Sequence, residues 1–62
     1  MVDTRYVIKR TDQGGGYVAI AGQKNSYTNK VSNMRKFDTE QAARDDACTG
    51  NEIVVPLSEI IN

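Results

Sequence analysis

The chain has 62 residues, a formal net charge of zero, one cysteine and no histidine. A chain this short buries only ~60% of its unfolded surface, so a single domain with one thin core is expected over residues 1–62. One thiol without a histidine closes no intrachain disulfide and assembles no zinc site, so no metal or cofactor is expected and stability rests on packing or self-association.

No stretch approaches the ~18 apolar residues of a membrane span. The N-terminal residues include Asp3, Arg5 and Lys9 where a signal peptide has its apolar core. A soluble, unprocessed protein is expected, with no membrane contact, and the single thiol suits a reducing, cytoplasmic compartment.

The zero balance hides a segregation. Up to Lys36 the bases Arg5, Lys9, Arg10, Lys24, Lys30, Arg35 and Lys36 face only Asp3 and Asp12. From Phe37 onward Arg44 stands against Asp38, Glu40, Asp45, Asp46, Glu52 and Glu59. The fold either keeps these halves apart as a basic and an acidic face or lets them neutralise each other across a sheet.

In chain order, Tyr6-Val7-Ile8-Lys9 and Tyr17-Val18-Ala19-Ile20 are β-branched and aromatic, as strands prefer. Gly14-Gly15-Gly16 between them takes positive φ at little steric cost, which suits the loop of an antiparallel hairpin. By strand alternation Tyr6, Ile8, Val18 and Ile20 are expected in the core. Val7, Lys9, Tyr17 and Ala19 then share a second face, free for a partner or a second copy. Gly22 to Asn33 is polar and aperiodic and reads as a long loop with a short strand within Ser26 to Thr28. Loops of that length in small domains usually carry function or move.

Met34-Arg35-Lys36-Phe37 reads as a third strand leading into a helix over Glu40 to Cys48. Asp38 or Thr39 is its expected N-cap, with Asp38 and Gln41 spaced as in a capping box. Ala42, Ala43 and Ala47 are expected on its buried face, and Gly50 at its left-handed C-cap. Ile53-Val54-Val55 is the densest β-branched run and reads as a fourth strand, central or beside the first, ended by Pro56. Leu57 to Ile61 reads as a helical turn whose isoleucines close the core. The order β-β-β-α-β predicts an α+β domain: a small antiparallel sheet with one helix on one face and a short C-terminal helical turn.

No residue pattern points to catalysis. Asp45 and Asp46 are adjacent on a helix and point in different directions, as on a solvated face. Cys48 falls at a helix C-terminus, where the dipole disfavours a thiolate, and reads as a buried structural thiol. The glycine run precedes a strand where a phosphate loop would open a helix. An enzyme is not expected.

Binding residues are more visible. Tyr17 is the leading anchor on the second sheet face, with Lys9 beside it, and Lys24, Tyr27 and Lys30 extend the patch if the loop folds back. Tyrosines interleaved with lysines also suit single-stranded nucleic acid, with bases stacked on rings and phosphates on cations. The aromatic signature of RNA-recognition sheets and a net positive charge are both missing, so a protein partner is favoured over nucleic acid. A homodimer through the same face is an alternative.

Taken together, Tyr6-Val7-Ile8-Lys9-Arg10, Gly16-Tyr17-Val18-Ala19, Ser26-Tyr27-Thr28, Phe37-Asp38-Thr39 with Ala42-Ala43, Cys48, and Asn51-Glu52-Ile53-Val54-Val55 resemble small proteins encoded by phages and prophages of Gram-positive bacteria. The resemblance implies an accessory protein in the host cytoplasm that binds and inhibits a defence complex, an anti-CRISPR protein acting on an RNA-guided nuclease among them. A nucleic-acid-binding accessory domain and a phage structural or assembly subunit are the alternatives. The resemblance carries no site residues.

Overall fold

The structure, a computed structural model, describes residues 4–12, 14–48 and 50–60. Four strands form an antiparallel sheet: β1 (Tyr6–Arg10), β2 (Tyr17–Val18), β3 (Tyr27–Thr28) and β4 (Glu52–Pro56), in the order β3-β2-β1-β4. One helix, α1 (Glu40–Asp46), packs on one face. Two 3₁₀ turns, Val31–Asn33 and Leu57–Glu59, complete the fold. The expected α+β architecture is present.

The β1-β2 hairpin closes as its glycines suggest. Gly14, Gly15 and Gly16 have φ of 96°, 60° and 92°, and Arg10 N–H donates to Gly16 O at 2.9 Å. Lys9 pairs with Tyr17. Beyond that pair the two strands splay, and residues 33–37 fill the gap. Arg35 N–H donates to Val18 O at 2.9 Å, Ile20 N–H to Asn33 O at 3.0 Å, and Tyr6 and Phe37 exchange both backbone bonds at 2.8 Å. The run expected as a third strand is thus a wedge making two isolated bridges, Ala19 to Met34 and Tyr6 to Phe37. The third strand is Tyr27–Thr28, within the segment where a short strand was expected.

The wedge lies between β1 and β2, and its side chains reach both faces of the sheet, into two separate cores. Phe37 joins Ile8 and Ala43 under α1, with Tyr6, Val18, Ala47 and Val54 packed around them. Met34 drops to the other side and joins Val7 and Leu57, flanked by Tyr17, Val31, Val55 and Ile60. The expectation of a single covered face is therefore corrected: Val7 is as buried as Ile8, because the two 3₁₀ turns cover the face α1 leaves open. Each such side chain contributes roughly 1.5–3 kcal/mol on burial. Ile20, expected in the core, is 39% exposed, since β2 has left β1 for the wedge at that point.

The helix starts where expected and stops sooner. Thr39 is the N-cap, accepting from Ala42 N–H at 3.1 Å, and Gln41 turns away from Asp38 to donate to Asp45. No Asp38 to Gln41 capping box is formed. Ala43 is fully buried while Ala42 is exposed, contrary to expectation, since only one of two adjacent helical positions can face the sheet. Ala47 ends the helix in extended conformation, so Gly50 (φ 107°) serves the turn into β4 and not the helix cap. Cys48 lies past the helix end and is exposed, which overturns its reading as a buried thiol. Pro56 closes β4 and leads into the turn at Leu57, which is fully buried, with Ile60 half-buried beside it. Ile61 lies outside the described residues.

Candidate functional site: a lysine-flanked end of the sheet

The two turns cover only one end of the second face. At the hairpin end, register lines up a row across all four strands: Thr28 opposite Tyr17, Tyr17 opposite Lys9, and Lys9 opposite Ile53. Directly opposed residues put their side chains on the same face. Lys9 is exposed, Ile53 is 50% exposed, and Tyr17 and Thr28 are half-buried, with Tyr17 resting against the Val7, Met34 and Leu57 core. Lys9 and Tyr17 are thus brought together as expected, while Val7 and Ala19 of the same face are covered.

The row continues into the long loop. Lys24, Tyr27, Thr28 and Lys30 line a polar cleft of about 200 Å³ together with Asn25 and Asn33. Lys30 N–H donates to Thr28 Oγ1 at 3.1 Å, which turns the chain back beside β3 after the strand ends. Thr28 therefore belongs to both the row and the cleft and joins Lys9 and Tyr17 to Lys24 and Lys30. Residue-by-residue reading missed Thr28 and Ile53, because only the strand register places them beside Tyr17 and Lys9.

Tyr27 lines the cleft but is itself held. It pairs with Val18 on the helix face of the sheet. Its Cβ lies close to Gly16, where an added Cβ would meet it at 3.4 Å, and the Arg10 guanidinium lies 4.7 Å from the ring centroid. Its hydroxyl donates to the Glu52 carboxylate on β4, whose other oxygen accepts from Cys48 N–H at 2.8 Å. The hydrogen bond to Glu52 raises the Tyr27 pKa above its ordinary value; burial and the carboxylate's charge add to it, and Arg10 opposes it. Tyr27 is a strut that ties edge strand β3 to edge strand β4.

The charges sort accordingly. Arg10 pairs with Asp12, Arg44 with Glu40, and Arg35 with Asp46 at 3.2 Å, the last joining the basic and acidic halves. Lys36 Nζ donates to Val31 O at 2.7 Å and to Met34 O at 3.2 Å, fastening the first 3₁₀ turn. Lys9, Lys24 and Lys30 have no carboxylate partner among the described residues. Neutralisation between the halves is therefore partial, and the remaining positive charge gathers around the Tyr17 row and the loop cleft.

Among the described residues no group of three or more His, Cys, Asp or Glu side chains is placed to hold a metal, and no helix is long and apolar enough to cross a membrane. No protein-family model, curated protein or solved structure matches this chain.

Proposed function

We propose that this protein acts by binding, as a non-enzymatic inhibitor that docks the Lys9, Tyr17, Lys24 and Lys30 end of its sheet on an acidic protein groove. The partner we propose is a host defence complex, as the resemblance to phage-encoded proteins implies. The observation that carries the binding reading is the partition of the cations. Arg10, Arg35, Arg44 and Lys36 are engaged with acceptors of the chain itself, whereas of the three lysines without carboxylate partners Lys9 stands opposite half-exposed Tyr17 and Lys24 and Lys30 line the adjoining loop cleft. Unpaired charges at the rim of a patch steer encounter, and a central tyrosine supplies contact area at low entropic cost.

Single-stranded nucleic acid is the second reading, favoured by the same lysines. It loses its stacking platform in part, since one face of the Tyr27 ring is covered by Arg10 and Tyr17 leans on the core.

The test compares the wild-type protein with a Lys9→Glu/Lys24→Glu/Lys30→Glu variant of unchanged circular dichroism. Both are used to capture partners from a lysate of a Gram-positive bacterium and are titrated against labelled single-stranded DNA and RNA over a salt series. A defence protein retained by the wild type and lost by the variant supports the proposal, and equal retention overturns it. Nucleic-acid binding that falls steeply with salt establishes the second reading. Recovery of phage assembly proteins alone would mark the chain as a structural subunit.

A further inference from the structure

The segment from Gly22 to Asn33 is long and polar, yet it is pinned at two points to the end of the second strand. Ala19 N–H donates to Ser26 O and Ile20 N–H to Asn33 O, both at 3.0 Å. Gly22, at φ 93°, closes a turn in which Gln23 N–H reaches Ile20 O at 3.3 Å, and Asn33 N–H returns to Lys30 O at 2.9 Å. These bonds shape the cleft of about 200 Å³ within the loop, so its walls are set before a ligand arrives and binding orders little further.

The same bonds decide the sign of the cleft. The carbonyls of Ile20, Ser26, Lys30 and Asn33 already accept from backbone amides. Thr28 Oγ1 accepts from Lys30 N–H at 3.1 Å, which leaves its own proton to donate. Gln23, Asn25 and Asn33 add carboxamides, Lys24 and Lys30 add ammoniums with three donors each, and no lining residue is acidic. Neither lysine has a carboxylate partner among the described residues, and both are exposed, so their ammoniums are free to turn inward. The Tyr27 hydroxyl is committed to Glu52, which leaves its ring as a wall.

We propose that this cleft is a binding site for one phosphate dianion, free or as the terminal group of a small monoester. Two ammoniums balance two negative charges, and a tetrahedral group takes donors from several sides at once. A cleft well below the ~300–1,000 Å³ of sites for larger ligands suits a group of that size. A carboxylate or a phosphodiester carries one charge and leaves one lysine unneutralised. The site needs no protein partner, so it goes beyond the docking reading and stands if that reading fails.

The experiment follows the amide NMR spectrum of the isolated protein during titration with inorganic phosphate, glycerol phosphate, dimethyl phosphate or acetate. Sodium chloride holds the ionic strength constant, and the pH is one at which the first two probes are dianions. Inorganic phosphate should shift the amides of residues 23–33 saturably and bind about tenfold or more tighter than dimethyl phosphate and acetate. Weaker binding of glycerol phosphate identifies the free ion as the ligand, and equal or tighter binding identifies a phosphorylated small molecule. Lys24→Gln and Lys30→Gln, with otherwise unchanged spectra, should each weaken phosphate binding about tenfold, since each removes one charge-assisted hydrogen bond. Lys9→Gln, outside the cleft, should leave it unchanged. Shifts no larger than those from chloride overturn the proposal, as do shifts spread equally over Lys9 and Arg35. Equal binding of dimethyl phosphate or acetate, or full binding by both cleft variants, overturns it too.

Discussion

Val7 and Ile8 are neighbours on β1, both fully buried, and they belong to different cores, Val7 to the one closed by Met34 and Leu57 and Ile8 to the one under α1. Met34→Ala should therefore cost as much as Ile8→Ala, about 2–5 kcal/mol each. In a domain with total stability near the low end of ~5–15 kcal/mol, either change approaches complete unfolding. Val54→Ala, on a half-buried edge residue, should cost roughly 1 kcal/mol. Urea denaturation checks all three, and an unchanged midpoint for Met34→Ala would mean that the second core adds nothing.

Thr39 satisfies a free amide of the first turn of α1, and Asp38 does not. Thr39→Ala should lower stability by about 1 kcal/mol, and Asp38→Ala should stay within about 0.5 kcal/mol of the wild type. Equal losses in thermal denaturation would place the cap at Asp38.

Tyr27 titrates above its ordinary value of 10.0 because its protonated hydroxyl donates to Glu52. Since the folded state holds this proton more tightly than the unfolded chain does, the stabilisation is fully present below pH 10.0 and is lost as pH rises through the raised pKa. Ultraviolet titration should show a late-ionising phenol that disappears in Tyr27→Phe. That variant should also lose part of the wild type's alkaline destabilisation, and an unchanged alkaline profile would show that the strut does not hold.

Cys48 is exposed, and its backbone, not its thiol, is what Glu52 engages. Cys48→Ser should keep stability within about 0.5 kcal/mol. In the native protein the thiol should react with a thiol reagent without prior unfolding. Labelling that needs denaturant would return Cys48 to the interior.

Local chemistry made several elements readable in advance. Three consecutive glycines specify a turn of positive φ, Thr39 before Glu40 opens a helix, and Ile53 to Val55 favours a strand that Pro56 closes. These depend on backbone preferences within a few residues, so the α+β class followed from sequence, and the β-β-β-α-β order holds with Tyr27–Thr28, not Met34 to Phe37, as its third strand. Lys9, Tyr17, Lys24, Tyr27 and Lys30 were recognisable as residue types suited to binding, but their grouping was not.

Only the tertiary structure decided how the faces of the sheet are used. Period-two alternation says that Val7 and Ile8 point in opposite directions, and it is silent on what covers either. The answer lies in a wedge 26 residues and more downstream, which bridges Tyr6 and Ala19 and carries Met34 to one side and Phe37 to the other. The same long-range register set Thr28, Tyr17, Lys9 and Ile53 in one row and drew the Tyr27 hydroxyl across the sheet to Glu52. Sequence carries short-range propensity residue by residue, whereas pairing between distant segments depends on how well whole surfaces fit, and that is settled only when the chain packs.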